Sequence, residues 1–169
     1  GFETMMTGAD HAATDNVALG FQALKGLTSG DNNVAVGSKA GINITTGQTN
    51  ILIGSNVGDE LLSGEGNVAI GHNAFHSADA GESGVVAIGY GALASLDGVG
   101  DTIAIGYDAG TSLSTGANNT IIGHLAGDAM TTTSSTVLIG YQAGSAIDHN
   151  DAEGNVAIGY RALQDCTSG

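Results

Sequence analysis

The chain has 169 residues and a formal net charge of −14, because 17 acidic residues face only three basic ones. This charge repels a phosphate backbone and an anionic membrane surface, which argues against nucleic acid as a partner. Proline and tryptophan are absent, aromatic residues make up 4%, and glycine supplies 29 residues. Few large side chains remain to fill a globular core, so the composition favours thin, repetitive layers.

A short apolar run ending on glycine recurs nine times, and the successive spacings are 17, 17, 17, 18, 17, 17, 17 and 19 residues. A fixed period of this kind indicates stacked repeats that each bury their apolar residues against the next. We predict an all-β parallel solenoid of nine repeats. The closing glycines are Gly20, Gly37, Gly54, Gly71, Gly89, Gly106, Gly123, Gly140 and Gly159.

Two segments follow from the repeat boundaries. Residues 1–15 do not follow the column pattern and are predicted to form a divergent N-terminal segment. Residues 16–169 form one solenoid repeat domain, which we expect to be a fragment of a longer fibre. No apolar run approaches the roughly 20 residues that span a bilayer, so no membrane insertion is expected in this segment.

Each repeat begins with a predicted strand whose two faces are both apolar. The residue before each glycine is Ile, Leu or Val, and the residue two places earlier is Val, Ile or Thr120. These β-branched columns are predicted to point into the core, so that Ile105 is buried in mid-stack. The column between them holds Ala, Leu or Ile, and only another layer or another chain can cover that second face. The pattern therefore predicts a homo-oligomer.

The first position of the motif is Asn in six of the nine repeats. Stacked asparagines form an amide ladder in one interpretation. In the other, Asn favours the turn that leads into the strand. The six residues are Asn16, Asn33, Asn50, Asn67, Asn119 and Asn155.

The second half of each repeat carries an Ala-type column and a Leu-type column, both predicted to point inward. Cys166 occupies the Leu-type column and is interpreted as a small buried hydrophobe. The spacing fits neither a second strand nor a tight helical turn well, and both stay open. Polar stretches between repeats are predicted to be outward turns, where Asp128 should tolerate replacement by Lys.

A column of Tyr and His follows the motif glycine, with Phe21 at its head. If the column is exposed, it is a candidate carbohydrate-contacting surface stripe. If it is turned inward, it packs between chains, which is the interpretation we favour. Its members are Tyr90, Tyr107, Tyr141 and Tyr160, together with His72 and His124.

Candidate sites for catalysis or metal binding are sparse. No catalytic residue is assigned, and no metal or cofactor is expected to be needed for folding. His72 and His76 lie four residues apart but in turn sequence, where surface roles are favoured over metal ligation. Asp148, Asp151 and Glu153 offer carboxylates suited to Ca²⁺ but lack a calcium-loop signature. An ice-binding threonine array is interrupted in its column and ranks last.

The segments Asn67-Val68-Ala69-Ile70-Gly71 and Asn155-Val156-Ala157-Ile158-Gly159 resemble the head repeats of trimeric autotransporter adhesins and, equally, repeats of bacteriophage tail fibres. The resemblance implies a left-handed parallel β-roll with three chains side by side, which binds a receptor or matrix. The repeat is longer than the adhesin unit, and fuller copies such as Gly159-Tyr160-Arg161-Ala162-Leu163 look closer to phage fibres.

The sequence thus favours a non-enzymatic extracellular fibre segment on a virion or cell surface. It is expected to form a homotrimer and to support attachment to a host, a receptor or a glycan. The alternatives are a carbohydrate-contacting or ice-binding extracellular solenoid and a calcium-binding surface repeat protein.

Overall fold

The structure, a computed structural model, describes residues 13–78, 81–98, 100–147 and 153–164. Nine strands of three residues each lie in these ranges, and they contain no helix. The strands are β1 (Val17–Leu19), β2 (Val34–Val36), β3 (Ile51–Ile53), β4 (Val68–Ile70), β5 (Val86–Ile88), β6 (Ile103–Ile105), β7 (Thr120–Ile122), β8 (Val137–Ile139) and β9 (Val156–Ile158).

All nine strands form one parallel sheet in sequence order, and equivalent residues of successive repeats are paired in register. Each strand from β2 to β8 bonds to both neighbours, as β2 does: the Val34 N–H donates to the carbonyl of Asn50 at 2.8 Å, and the Gly37 N–H donates to the carbonyl of Leu19 at 2.7 Å. The chain is therefore an all-β parallel solenoid of about eight turns, which confirms the fold class predicted from the period.

The second half of each coil is neither a strand nor a helical turn but a run of tight turns. Non-glycine residues take left-handed φ angles at alternate positions there, as at Gln22 (58°) and Leu24 (50°). The backbone stays paired to the next coil, since the Leu24 N–H donates to Ala40 and the Gly26 N–H to Ile42. Satisfying these groups allows a chain with so few large side chains to stack.

The strand faces are assigned in the opposite sense to the sequence prediction. The middle residue of each strand from β2 to β9 is buried, whereas the first and third residues are half-buried or exposed. The prediction that the β-branched columns point into the core is therefore wrong, and Ile105 lies on the outer side of β6. The interior of the coil is narrow, so the column with the smallest residues, such as Ala104, faces inward.

The Ala-type and Leu-type columns of the turn half complete the core, as predicted. The Ala-type column is buried from Ala23 to Ala143 and half-buried at Ala162. Buried members of the Leu-type column are Leu27, Ile44, Leu61, Ala78, Leu96, Leu113, Met130 and Ile147. Cys166, placed in the same column by the sequence, lies outside the described residues.

In seven of the nine coils, side-chain volumes in the core are balanced between the strand and the turn six residues later; in the coils of β2 and β6 both positions are small. Where the strand supplies Leu52, the turn position is Gly58; where it supplies Ala87, the turn position is Leu93. A Cβ on Gly58 would approach a Leu52 methyl group to 3.2 Å, closer than ordinary contact. In the coils of β3 and β5 a large side chain at one position is thus matched by a small one at the other, as a close-packed interior requires.

This balance predicts a compensating pair of substitutions. Leu52→Ala alone should lower the free energy of unfolding by about 2–5 kcal/mol, because it leaves a cavity in a dry core. Gly58→Leu should recover at least half of that loss in the double variant, since Leu93 already takes the left-handed φ of this position (51°, against 53° at Gly58). Urea unfolding of the two single variants and the double variant checks the coupling; additive losses would contradict it.

Candidate interaction face

One side of the solenoid carries three outward columns, which together we call the outer face. The valine column is the first residue of each strand, the isoleucine column is the third, and the last column is the residue after the motif glycine. None of these positions holds Lys, Arg, Asp or Glu, although the chain carries a net charge of −14. The acidic residues that the structure describes therefore lie on the other sides of the coil.

The apolar residues of the outer face are half-buried in most coils and exposed in β1, β3 and β9 and at Ile103. In mid-sheet Ile51 and Ile53 are 40% and 37% exposed, and in the last coil Val156 and Ile158 are 64% and 65% exposed. Isolated exposed aliphatic residues are ordinary on a protein surface. A continuous stripe of them along nine in-register strands marks a surface that is suited to contact with another molecule.

The third column contains a continuous stack of rings, which we call the aromatic row: His72, Tyr90, Tyr107, His124, Tyr141 and Tyr160. Neighbouring ring centroids lie 5.1–5.4 Å apart. From Tyr90 onward the planes are within 15° of parallel, whereas His72 is tilted by 41°. At the far end the guanidinium of Arg161 lies 5.2 Å from the Tyr160 centroid, a cation–π distance.

This stacking decides which parts of the rings are available. Tyr107 is covered on one face by Tyr90 and on the other by His124, so its exposed parts are its edge and its hydroxyl. A sugar that packs its C–H bonds against an aromatic face finds no free face at such a position. The row instead offers a line of ring edges and hydroxyl groups along one margin of the outer face.

Beneath the sheet, the asparagines form the amide ladder that was one of the two interpretations of their column. The Nδ2 of Asn50 donates to the Oδ1 of Asn33 at 3.0 Å, and the Nδ2 of Asn67 donates to the Oδ1 of Asn50 at 3.0 Å. Each amide also donates to a turn carbonyl of the following coil, as Asn50 does to Gly64 at 2.8 Å. Every polar atom of the buried Asn50 amide is therefore satisfied.

The side-chain hydrogen bonds of the ladder differ where the column lacks Asn. The Val85 N–H still donates to the Oδ1 of Asn67 at 3.0 Å, but no side-chain bond continues from that position. Thr136 keeps the pattern, because its hydroxyl donates to the Oδ1 of Asn119 at 2.8 Å. The motif from Asn67 to Gly71 thus combines an inner amide, a buried Ala, two outer aliphatic residues and a corner glycine. The copy from Asn155 to Gly159 shares the buried Ala and the outer aliphatic residues, whereas its Asn is half-buried.

The candidate metal ligands do not gather. His72 stacks on Tyr90, whereas His76 contacts the carboxylate of Asp59. Asp148 and Asp151 lie outside the described residues, and Glu153 is exposed. Within the described ranges, no group of three or more His, Cys, Asp or Glu residues is placed to hold a metal ion.

Asp128 departs from the outward, freely substitutable position that the sequence predicts. It is half-buried, and its Oδ1 has no hydrogen-bond partner among the described residues. Burial raises the pKa of the Asp128 carboxyl above its ordinary value, and hydrogen bonds from its own N–H and that of Ala129 oppose the rise. No sequence signal marks this position, since its column also contains Lys25, Ile42 and Ser145.

Comparisons with protein-family models, with curated proteins and with solved structures find no match to the chain. Among the residues that the structure places, no helix is long and apolar enough to cross a membrane. The outer face and the repeats are therefore the features that bear on function.

Proposed function

We propose that this chain is a non-enzymatic segment of an extracellular fibre, the shaft or head of a phage tail fibre or of a cell-surface adhesin. In this role it associates with two further copies of itself and supports attachment to a host cell or receptor. The observation that carries the proposal is the uncharged, apolar outer face of an otherwise strongly acidic chain. The resemblance of the Asn67 to Gly71 motif to adhesin and tail-fibre repeats supports the choice of a fibre.

The outer face is the surface that gains most from contact with another copy. Burying an aliphatic side chain such as Ile105 stabilises an association by about 1.5–3 kcal/mol when the side chain is fully exposed beforehand. Ile105 is half-buried, so each residue of this column contributes a fraction of that amount. The contribution repeats in every coil, and a long stripe accumulates enough to offset the entropic cost of association.

Three copies around an axis parallel to the stack use this stripe efficiently. Their isoleucine columns then converge on the axis, while the aromatic rows stay at the margins of the contacts. Each copy meets one neighbour through one edge of its outer face and the other neighbour through the opposite edge, so the ring closes and leaves no unmatched apolar stripe. The acidic residues remain outside, where added salt screens their mutual repulsion, so association should strengthen as ionic strength rises.

Adjacent residues of β6 separate assembly from folding. Ile105→Asp places a charge on the outer face; the isolated chain should stay folded, with a loss of about 1 kcal/mol or less, but should sediment as a monomer. Ala104→Asp places the same charge in the core, where Ala104 is fully buried, and should prevent folding, because an unpaired buried charge costs several kcal/mol.

Sedimentation equilibrium at micromolar concentration, combined with circular dichroism melts, reads both effects. The wild-type chain should show the mass of three copies. A wild-type monomer that is well folded at both low and high salt would contradict the proposed assembly. An unfolded Ile105→Asp chain would contradict the assignment of the outer face.

A further inference from the structure

The four tyrosines of the chain all lie in the aromatic row, where they form two adjacent pairs. Tyr90 and Tyr107 stack with ring centroids 5.1 Å apart and planes 8° from parallel. Tyr141 and Tyr160 stack at 5.4 Å and 9°. His124 lies between the two pairs, so Tyr107 and Tyr141 are not neighbours.

Each tyrosine is also open to small oxidants. The exposed fractions of the side chains range from 41% at Tyr141 to 72% at Tyr160. The positions ortho to the hydroxyl lie on the ring edges, which stacking of the ring faces leaves uncovered. Two phenols held next to each other at the surface are well placed to couple once both are oxidised, because proximity replaces a bimolecular encounter.

We propose that Tyr90 with Tyr107, and Tyr141 with Tyr160, are sites of oxidative cross-linking that join successive coils through dityrosine. The oxidant is hydrogen peroxide turned over by a haem peroxidase. This inference goes beyond the fibre function proposed above and does not depend on it, because each bond forms within one chain.

Each phenol gives up one electron and its hydroxyl proton, which produces two neighbouring phenoxyl radicals. An ortho carbon of one ring bonds to an ortho carbon of the other, and the two displaced ring hydrogens return to the phenolic oxygens. Two hydrogen atoms are lost overall for each cross-link, and one molecule of hydrogen peroxide takes them up to form two molecules of water. The exposed rings turn about their side-chain bonds to bring the ortho carbons together.

The spacing makes the cross-links selective. Tyr90 follows β5 and Tyr107 follows β6, so the first bond joins consecutive coils; the second joins the coils of β8 and β9. A bond from Tyr107 to Tyr141 would have to bypass the imidazole of His124, which stacks against both rings. The structure therefore permits two cross-links in each chain and specifies which residues they join.

The test treats the purified wild-type chain with a haem peroxidase and limiting hydrogen peroxide. Intact-mass spectrometry should show the loss of two and then four hydrogen atoms per chain. Peptide mapping with a protease that cleaves at acidic residues should recover the 90–107 and 141–160 cross-links. An equal mixture of isotope-labelled and unlabelled chains tells bonds within a chain from bonds between chains, so the result does not depend on whether the chains form trimers.

Three variants sharpen the assignment. Tyr107→Phe keeps a stacked ring and should leave only the 141–160 cross-link, and Tyr141→Phe should leave only the 90–107 cross-link. His124→Tyr should add coupling at the new position.

The selectivity should disappear when the same oxidation is carried out on the chain unfolded in urea. Cross-links that join Tyr107 to Tyr141 in the folded chain, or that form with the same pattern in urea, would each overturn the proposal. Cross-links of which about half join a labelled to an unlabelled chain would also overturn it, because bonds between chains pair the two labels at random. Failure to form any cross-link would overturn it as well.

Discussion

Gly106→Ala is expected to be among the most damaging single changes in this chain, with a loss of at least about 3 kcal/mol in the free energy of unfolding. Gly106 has a φ of 147°, a conformation that alanine adopts only under strain. A Cβ at this corner would also point at the backbone carbonyl of Gly123 in the next coil, well inside van der Waals contact. Because backbone lies on both sides of this contact, neither coil can yield without breaking strand pairing.

Gly159→Ala is the matched control, because it separates the two causes. Gly159 ends the same motif and has a similar φ of 130°, but nothing lies within 4 Å of a Cβ built there. Its substitution should cost only the backbone strain, about 1–3 kcal/mol. Thermal or urea unfolding of both variants measures the difference. Equal losses of stability in the two variants would show that the close approach of coils at the glycine corner does not contribute to the cost of Gly106→Ala.

Asn50→Asp should be comparably severe, although it changes a single atom of the side chain. The amide of Asn50 is fully buried, and its Nδ2 donates to the Oδ1 of Asn33 and to the carbonyl of Gly64. In the Asp variant a carboxylate oxygen replaces the Nδ2 group, and this oxygen has no proton to donate to either of the two acceptors. We expect a loss of about 3–5 kcal/mol at neutral pH, in the range for an uncompensated buried charge.

The loss at Asn50→Asp should depend on pH in a defined direction. Burial and the facing acceptors raise the pKa of the new carboxyl in the folded chain above its unfolded value of about 3.9. The folded state then binds more protons, so the variant loses stability as pH rises from about 4 through the raised pKa. Its deficit relative to wild type should be smallest below that window and constant above it.

Asn118→Asp provides the control for charge alone. Asn118 is exposed, with a left-handed φ of 58°, and its column already contains Asp15 and Asp101 in the same conformation. Its replacement should change the free energy of unfolding by less than about 0.5 kcal/mol. Denaturant unfolding at pH values between 3 and 8 compares the two variants. A pH-independent deficit at Asn50→Asp would contradict the ladder as its cause.

The repeat period was enough to predict the solenoid, its strand positions and the buried turn columns. The glycine spacing fixes which residues pair, and the in-register partners, such as Ile70 with Ile88, follow from it. The orientation of the strand was predicted incorrectly, because hydrophobicity ranks isoleucine above alanine as a core residue. In a narrow coil, the width of the interior decides which column of the strand is buried. The small residues at Ala35, Ala69 and Ala104 were the sequence signal for the inner face.

Other features depend on geometry that composition does not encode. The left-handed positions of the turn half had a sequence signal, because the column of Leu24 and Phe75 holds glycine in five of the nine repeats. Large side chains in this conformation are uncommon, so the sequence did not indicate that Leu24 and Phe75 share it. The stacking of Tyr107 between Tyr90 and His124 required the ring planes to be known. The amide ladder was one of two sequence interpretations, and the hydrogen bonds of Asn33, Asn50 and Asn67 confirm it.

The balance of core volumes also bears on how a chain of near-copies stacks in the right order. If one coil were skipped during folding, the strand pairing and the glycine corners would look almost the same, so backbone geometry alone gives little protection. The irregular succession of large and small core residues does distinguish the coils, because Leu52 needs the empty space beside Gly41 and Gly58 and would collide with Phe75 or Leu93 in their place. The variation in core side-chain size therefore gives each repeat its own matching neighbours. A stack shifted by one whole repeat is destabilised because its core side chains no longer fit.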